Sequence, residues 1–210
     1  MSDSTPVAEP ITLLCVIAAA AARGDGAGTA DATRAALRGG ATDVAVRGVL
    51  RMLHPFTGFP RALDAFAAAT PFLATPALAV PEPADAGAAG RRVFDLVYGD
   101  DADRICARIT ALDPEALHRV LADAYGRVLS QNDISLAARE RIAVVLLAAQ
   151  GLRNQLAGHV RGALRTGAAP GDVELDLEAC AGWIDAGDAA VARAALRAGN
   201  PAPRNPPSSP

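Results

Sequence analysis

An acid, an amide and an imidazole in the second half of the chain have the spacing for proton-transfer chemistry. Glu140 lies eleven residues before Gly151, and His159 lies eight residues after it. If Gly151 marks a turn between two antiparallel helices, a rise of about 1.5 Å per residue leaves the two side chains within roughly 5 Å of each other in height. A carboxylate beside an imidazole orients the ring and lets it donate or accept a proton near neutral pH. Gln155, one helical turn before His159, would join them on the same helix face.

The same spacing leaves a second interpretation open. Glu140 can pair on the surface with a nearby arginine, and His159 then packs as a half-buried helix residue. The arginines in question are Arg139, Arg141 and Arg153. If the acid and the imidazole do form a site, a guanidinium of this group can bind a substrate carboxylate. The candidate substrate-binding residues are therefore Gln155 and Arg139.

Helix start and stop signals place the acid and the imidazole on two neighbouring helices. Ser135 is typical of a helix N-cap and predicts a helix through Gln150. A second helix is predicted from about residue 153 to residue 166, and Gly167 ends it. Only a tight turn near Gly151 separates the two helices, so they must form an antiparallel hairpin.

Composition favours helices in the rest of the chain as well. The 210 residues are 51% hydrophobic but only 4% aromatic, a mixture typical of tightly packed helices rather than sheets. The apolar run over residues 11–22 is too short to span a bilayer and predicts a core helix. Asp113 followed by Pro114 predicts another helix start, with the helix running to about Val128. The predicted fold class is all-α.

The charged residues exclude several classes of function. All 20 basic residues are arginines, so Schiff-base and pyridoxal chemistry, which require lysine, are excluded. The net charge of −3, with both signs interspersed, provides no basic face for a nucleic acid. His54, His118 and His159 are too dispersed to predict a metal site. No metal site, no lysine-bound cofactor and no nucleic-acid partner is therefore expected.

The cysteines indicate the compartment. Cys15, Cys106 and Cys180 form neither a CxxC pair nor an even disulfide framework, which suits a reducing environment. The residues before the first apolar run carry Asp3 and Glu9 but no positive charge, unlike a secretory leader. We expect a cytoplasmic protein without a membrane partner.

An internal repeat organises the chain. Residues 36–41 and residues 163–168 agree at five of six positions, at an offset of 127. At the same offset, residues 17–24 fall on residues 144–151, an apolar helix closed by glycine in both copies. A weaker match joins residues 58–63 to residues 187–192 after an insertion of two residues.

Proline-rich stretches mark the limits of the two copies. The stretch 71–90 contains four prolines among alanines and glycines and predicts an extended connector. The stretch 199–210 carries five prolines and predicts a disordered tail. The predicted organisation is a first helical repeat over 1–70, a connector over 71–90, a second repeat with the candidate site over 91–198, and the tail.

Several of these segments resemble the carboxymuconolactone decarboxylase and alkylhydroperoxidase-D-like family. Residues 125–129 and 138–143 are similar to the lead into the family's core helix, and residues 159–167 are similar to its histidine-bearing helix. In the first copy, residues 56–62 resemble the aromatic-x-glycine-x-proline segment that closes the family's unit. The resemblance covers most of 11–70 and 92–198, and it implies two tandem units that form a pseudo-symmetric helical bundle.

The resemblance also assigns roles to residues. Glu140 occupies the position of the family's core-helix glutamate and His159 that of its histidine, the two positions that serve in proton transfer. The positions of the peroxidase branch's CxxC motif hold Leu152 and Gln155, so the redox pair is missing and Cys180 is the only redox alternative. In the first copy, Leu13 and Ala32 replace the acid and the imidazole. The resemblance therefore implies at most one site per chain, with the first copy as scaffold.

Three hypotheses for function follow. The first is a cofactor-independent lyase or isomerase that acts on a small organic acid or lactone, with His159 as general acid or base, Glu140 orienting it and Gln155 binding the substrate. The second is a peroxidase-like antioxidant protein that uses Cys180. The third is a non-catalytic scaffold or binding protein. The rings formed by family members imply self-association, as a dimer, trimer or hexamer.

Overall fold

Helices joined by short turns account for almost all of the structure, a computed structural model that describes residues 10–74 and 80–199. No strand occurs in these two ranges, so the predicted all-α class is confirmed. A π-helical segment, Val120–Leu129, directly continues the seventh helix. The helices are α1 (Pro10–Arg23), α2 (Gly26–Arg38), α3 (Asp43–Thr57), α4 (Phe59–Ala69), α5 (Ala86–Tyr98), α6 (Ala102–Leu112), α7 (Pro114–Arg119), α8 (Leu136–Ala149), α9 (Arg153–Arg165), α10 (Pro170–Ala179) and α11 (Ala186–Gly199).

Helix α8 lies at the centre of the fold. Every residue from Ala138 to Ala149 is buried, which requires neighbours on all sides of the helix. Helices α1, α3, α9, α10 and α11 supply them. Helix α1 is the second core helix, with nine buried residues over its length, and the predicted core helix over 11–22 is confirmed. Among the described residues, no helix is both long and apolar enough to cross a bilayer.

Charged residues of α8 are buried together with partners from other helices. The Arg141 Nε donates to Asp176 Oδ2 at 2.7 Å, and Thr12 Oγ1 donates to Asp176 Oδ1 at 2.8 Å. This cluster joins α1, α8 and α10. Two residues before Arg141, the Arg139 guanidinium binds Asp133 of the loop that precedes α8. Buried charges of this kind are tolerated because each is paired and hydrogen-bonded.

Glycines end helices at corresponding places in the two halves of the chain. Gly24 and Gly151 have φ angles of 72° and 69°, and Gly40 and Gly167 have φ angles of 93° and 107°. Residues with side chains rarely adopt this left-handed conformation. Each pair is 127 residues apart, the offset predicted for the repeat, and α2 and α9 have matching bounds at that offset. These observations fit the repeat, and the pseudo-symmetric arrangement of two units stays a prediction.

Helix α5 crosses the π-helical segment at very short range. A Cβ atom on Gly90 would lie 1.7 Å from the carbonyl oxygen of Leu121, and one on Gly126 would lie 2.0 Å from that of Ala86. Only glycine permits such backbone contact, so these two positions determine how the segments cross. The crossing places the first part of α5, from Ala86 to Gly90, against Leu121 and Gly126 of the π-helical segment.

The connector and the tail are only partly visible in the structure. Asp85 caps α5 by accepting from the Ala88 backbone N–H at 2.8 Å, so helix extends into the stretch that the sequence predicts as connector. Residues 75–79 of that stretch, and residues 200–210 of the predicted tail, lie outside the described residues. The division into two repeats and a connector stays a prediction.

Candidate active site

The hairpin that positions the candidate acid and imidazole forms as predicted. Ser135 Oγ accepts from the Ala138 backbone N–H at 3.2 Å and caps α8. Helix α8 ends at Ala149, Gly151 makes the turn, and α9 runs over Arg153–Arg165. The two helices pack against each other along their lengths.

Glu140 and His159 meet in the interior between α8 and α9. His159 Nδ1 lies 2.9 Å from Glu140 Oε2. The side chains are 5% and 0% exposed, respectively, so water does not compete for this hydrogen bond. Since a carboxylate oxygen can only accept, we assign the hydrogen of this bond to Nδ1. The structure thus brings together the two residues that the sequence predicts as the proton-transfer pair.

A glycine of α9 makes room for the carboxylate. A Cβ atom on Gly162 would lie 2.6 Å from Glu140 Oε2 and 2.8 Å from the Val97 side chain. Both distances are shorter than a van der Waals contact. The absence of a side chain at position 162 is therefore what allows Glu140 to lie against α9 and reach His159.

Two tyrosines extend the pair into a chain of hydrogen bonds. Tyr98 Oη lies 3.3 Å from His159 Nε2, and the Tyr125 hydroxyl donates to Tyr98 Oη at 3.0 Å. We refer to Tyr125, Tyr98, His159 and Glu140 as the relay. The chain contains only these two tyrosines, and both belong to the relay. Sequence reasoning missed them, although their scarcity was a signal.

Aromatic rings surround the relay. The rings of Phe56 and His159 meet edge to face with centroids 5.8 Å apart, and Phe94 packs on both tyrosines at 4.4 and 4.9 Å. Burial raises the pKa of Tyr98 to about 12. Burial also raises the pKa of Tyr125, and the neighbouring Tyr98 and Glu140 add to this. Both phenols therefore stay protonated at neutral pH.

One oxygen of the carboxylate is left without a donor. Glu140 Oε1 is buried and has no hydrogen-bond partner among the described residues. A buried carboxylate oxygen without a donor is energetically costly. The cost falls when positive charge resides on the adjacent imidazole, because Coulomb attraction is strong in a poorly solvated interior.

The remaining predicted site residues lie outside the relay. Gln155 is exposed on the surface of α9. The Arg139 guanidinium binds Asp133 and donates to the Gln131 carbonyl at 3.0 Å, and its exposure is 1%. Substrate binding by Gln155 and Arg139 stays a prediction that this arrangement does not support.

The neighbouring arginines have aspartate partners instead of Glu140. Arg141 binds Asp176, and Arg153 binds Asp188. In the described structure, Glu140 is therefore bonded to His159 and not to the arginines of the second interpretation.

The cysteine proposed for redox chemistry is deeply buried. Cys180 is 0% exposed. Burial raises the pKa of its thiol, and the negative charge of Asp176 adds to the effect. A thiol of this kind stays protonated and is a poor nucleophile. The two positions of the family's CxxC motif, Leu152 and Gln155, are both exposed.

A surface groove lies away from the relay. It has a volume of about 330 Å³ and opens between α3, α4 and the π-helical segment, with His54, Phe59 and Arg127 in its lining. The relay is not part of that lining. Over residues 10–74 and 80–199, no group of three or more histidine, cysteine or acidic side chains is arranged to hold a metal ion.

The family predicted from the sequence is confirmed by comparison with known proteins. Residues 11–71 match the model of the carboxymuconolactone decarboxylase family. Over these residues the protein is thus similar to carboxymuconolactone decarboxylase. The matched residues form α1 to α4, which contain neither Glu140 nor His159.

The chain also aligns with a curated relative, over more residues than the family model matches. This chain is 29% identical over 129 residues to Peroxisomal protein 2 of Schizosaccharomyces pombe. The aligned residues are 59% of this chain and 61% of the relative. The chain thus spans about three fifths of the length of this relative.

Proposed function

We propose that this protein is a cofactor-independent acid–base enzyme that catalyses lyase or isomerase chemistry on a small organic acid or lactone. The observation that carries the proposal is the buried hydrogen bond of 2.9 Å between His159 Nδ1 and Glu140 Oε2. A buried carboxylate that holds an imidazole in one tautomer is a common arrangement for general acid–base catalysis.

The proposed chemistry requires only the movement of protons. In an isomerase, the proton next to a carbonyl group is removed and returned at another carbon. In a lyase, the bond to a carboxylate breaks, carbon dioxide leaves, and the electron pair that remains on carbon takes up a proton. The imidazole of His159 can hold the proton between these events, and the negative charge of Glu140 stabilises the imidazolium.

Turnover assays with matched variants test the proposal. The purified protein is incubated with unsaturated γ-lactones, their carboxylated forms and β-keto acids, and proton NMR follows isomerisation and loss of carbon dioxide. His159→Gln and Glu140→Gln each remove one partner of the pair while keeping a polar side chain of similar size. We expect each change to lower kcat on the order of 10²- to 10⁴-fold, as is typical for loss of a general acid or base.

His118→Gln is the matched control, because His118 is exposed on α7 and takes no part in the relay. It should turn over substrate at the wild-type rate. The proposal fails if the folded wild-type protein converts none of these compounds, or if His159→Gln is as active as the control. Circular dichroism confirms that each variant is folded before its rate is compared.

The near-complete burial of the pair favours a second candidate function. With side-chain exposures of 5% and 0%, His159 and Glu140 can also be a structural pair within a non-catalytic scaffold or binding protein. In that case the Glu140→Gln and His159→Gln variants lower the melting temperature, and neither they nor the wild type convert substrate.

Location and assembly belong to the proposal as well. A cytoplasmic location rests on the scattered cysteines, and the name of the Schizosaccharomyces pombe relative makes the peroxisome the alternative. Imaging of a fluorescent fusion distinguishes the two compartments. Self-association as a dimer, trimer or hexamer is measured by light scattering on the purified protein.

A further inference from the structure

Both ring nitrogens of His159 already have partners. Nδ1 faces Glu140 Oε2 at 2.9 Å, and Nε2 faces Tyr98 Oη at 3.3 Å. The ring is 5% exposed. A bound acid therefore finds no free nitrogen on the imidazole, and direct transfer to His159 would first require Tyr98 to move away.

The hydrogens of the relay can be ordered in one direction. A hydroxyl group has a single hydrogen, and that of Tyr125 is donated to Tyr98 Oη. The Tyr98 hydrogen is then available to His159 Nε2, whose neutral ring carries its own hydrogen on Nδ1 toward Glu140. Each member of the relay donates a hydrogen bond to the next, and the Glu140 carboxylate is the last acceptor.

Tyr98 is the most accessible member of the relay. It is half-buried, whereas Tyr125, His159 and Glu140 are buried. The charges that act on its phenol are the negative Glu140 and the positive Arg161, which opposes it. Arg161 is exposed on α9, so it presents a positive charge near Tyr98 to an incoming carboxylate.

We propose that Tyr98 is the catalytic residue that exchanges the proton with the bound acid, and that His159 and Glu140 act behind it. The inference rests on the proposed function and names the group that meets the substrate. Tyr125 is a positioning residue, because its hydroxyl donates to Tyr98 Oη and holds the phenol in line with the imidazole.

The transfer step balances without any further reactant. The substrate's C–H bond breaks and its proton bonds to Tyr98 Oη, while the electron pair remains on the substrate carbon. The original O–H bond of Tyr98 breaks at the same time, and that proton bonds to His159 Nε2. The products are a substrate carbanion, a neutral Tyr98 and an imidazolium beside Glu140. The reverse sequence returns a proton to carbon.

The high pKa of the phenol is consistent with this role. Burial raises it to about 12, so a free phenolate would be costly at neutral pH. In the coupled step the phenol gives up one proton as it receives another, and a phenolate need not form. The positive charge comes to rest next to the Glu140 carboxylate, whose Oε1 has no other partner among the described residues.

Two variants with the same chemical change test the inference. Tyr98→Phe and Tyr125→Phe each remove one hydroxyl group and keep the ring. With α-angelica lactone, a β,γ-unsaturated γ-lactone, as the probe, we expect Tyr98→Phe to lower kcat on the order of 10²- to 10⁴-fold. Tyr125→Phe should lower kcat by about tenfold or less. Wild-type kcat in Tyr98→Phe, together with loss of activity in His159→Gln, would overturn the inference.

A measurement without substrate separates this inference from the proposed function. Nitrogen-15 NMR of labelled histidine at neutral pH reports which ring nitrogen carries hydrogen, and the spectrum of His159→Gln identifies the His159 signals. We expect a protonated Nδ1 and a hydrogen-bonded, unprotonated Nε2, whose signal moves in Tyr98→Phe and moves less in Tyr125→Phe.

These experiments distinguish failure of the proposed function from failure of the relay. If the wild-type protein does not convert the lactone or any other tested compound, the proposed function fails, and the NMR spectra alone judge the relay. An Nε2 signal that Tyr98→Phe leaves unchanged, or a hydrogen found on Nε2 instead of Nδ1, overturns the relay whether or not the protein is active.

Discussion

Replacement of Gly162 by alanine should separate the effect of helix propensity from that of space at the Glu140–His159 pair. Alanine in a helix interior is favoured over glycine by about 1 kcal/mol. Here the added Cβ would lie 2.6 Å from Glu140 Oε2 and 2.8 Å from the Val97 side chain. Overpacking of a core costs about 1–3 kcal/mol, and loss of a hydrogen bond to a charged group costs about 1.5–3 kcal/mol. The sum is a net loss of stability of about 1.5–5 kcal/mol.

Gly158→Ala is the matched control on the same helix. Its Cβ would lie 3.4 Å from Tyr98 Cε1, an ordinary contact, so the propensity gain should remain and raise stability by up to about 1 kcal/mol. Urea titration followed by circular dichroism measures both free energies of unfolding. Gly162→Ala should also lower the melting temperature by roughly 3–20 °C. If Gly162→Ala proves as stable as Gly158→Ala, Glu140 does not occupy the space beside α9 and the reasoning is refuted.

Three further predictions concern the rest of the fold. Burial and then Asp176 raise the pKa of Cys180. Iodoacetamide should therefore not label this thiol in the native protein at neutral pH, and full labelling should require denaturant. Mass spectrometry after digestion measures the labelling. Arg141→Met should destabilise the protein by about 3–5 kcal/mol in urea, since Asp176 is left charged and buried, and the double variant with Asp176→Leu should recover most of the loss. Hydrogen bonds from the α2 backbone and then from Trp183 Nε1 lower the pKa of Asp25. These bonds therefore stabilise the fold fully at pH values above the pKa of this carboxyl group in the unfolded chain. The stabilisation is lost as the pH falls through the lower pKa of the folded state. Fluorescence of Trp183, the sole tryptophan, should report this transition in the wild type and not in Asp25→Ala.

Local signals explain why part of the site was predictable. The Ser135 cap, the glycine turn at Gly151 and the regular rise of an α-helix together determine which residues of the hairpin face each other at the same height. Residue spacing along the chain was therefore enough to predict that His159 lies within reach of Glu140. The positive φ angle at Gly151 is the physical reason why the turn falls at that residue.

The choice of ion partners was not predictable from the same signals. The sequence allowed Glu140 to pair with Arg139, Arg141 or Arg153. In the fold these arginines bind Asp133, Asp176 and Asp188, and Arg141 and Arg153 each reach an aspartate 35 residues further along the chain. Attraction between opposite charges has no preference in sequence distance. The packing of α10 and α11 against the hairpin therefore decides the partners of Arg141 and Arg153.

By itself, the sequence determined an all-helical chain with a buried apolar helix, glycine turns at an offset of 127 and one acid–imidazole hairpin, because these features follow from composition and from contacts between residues close in sequence. Tertiary structure alone decided that Tyr98, 61 residues before His159, completes the site. The close crossing at Gly90 and Gly126 holds α5 against the π-helical segment. The Tyr125 hydroxyl of that segment binds Tyr98, which in turn faces the imidazole. Backbone contact between distant segments depends on the whole packed core, which no local pattern encodes.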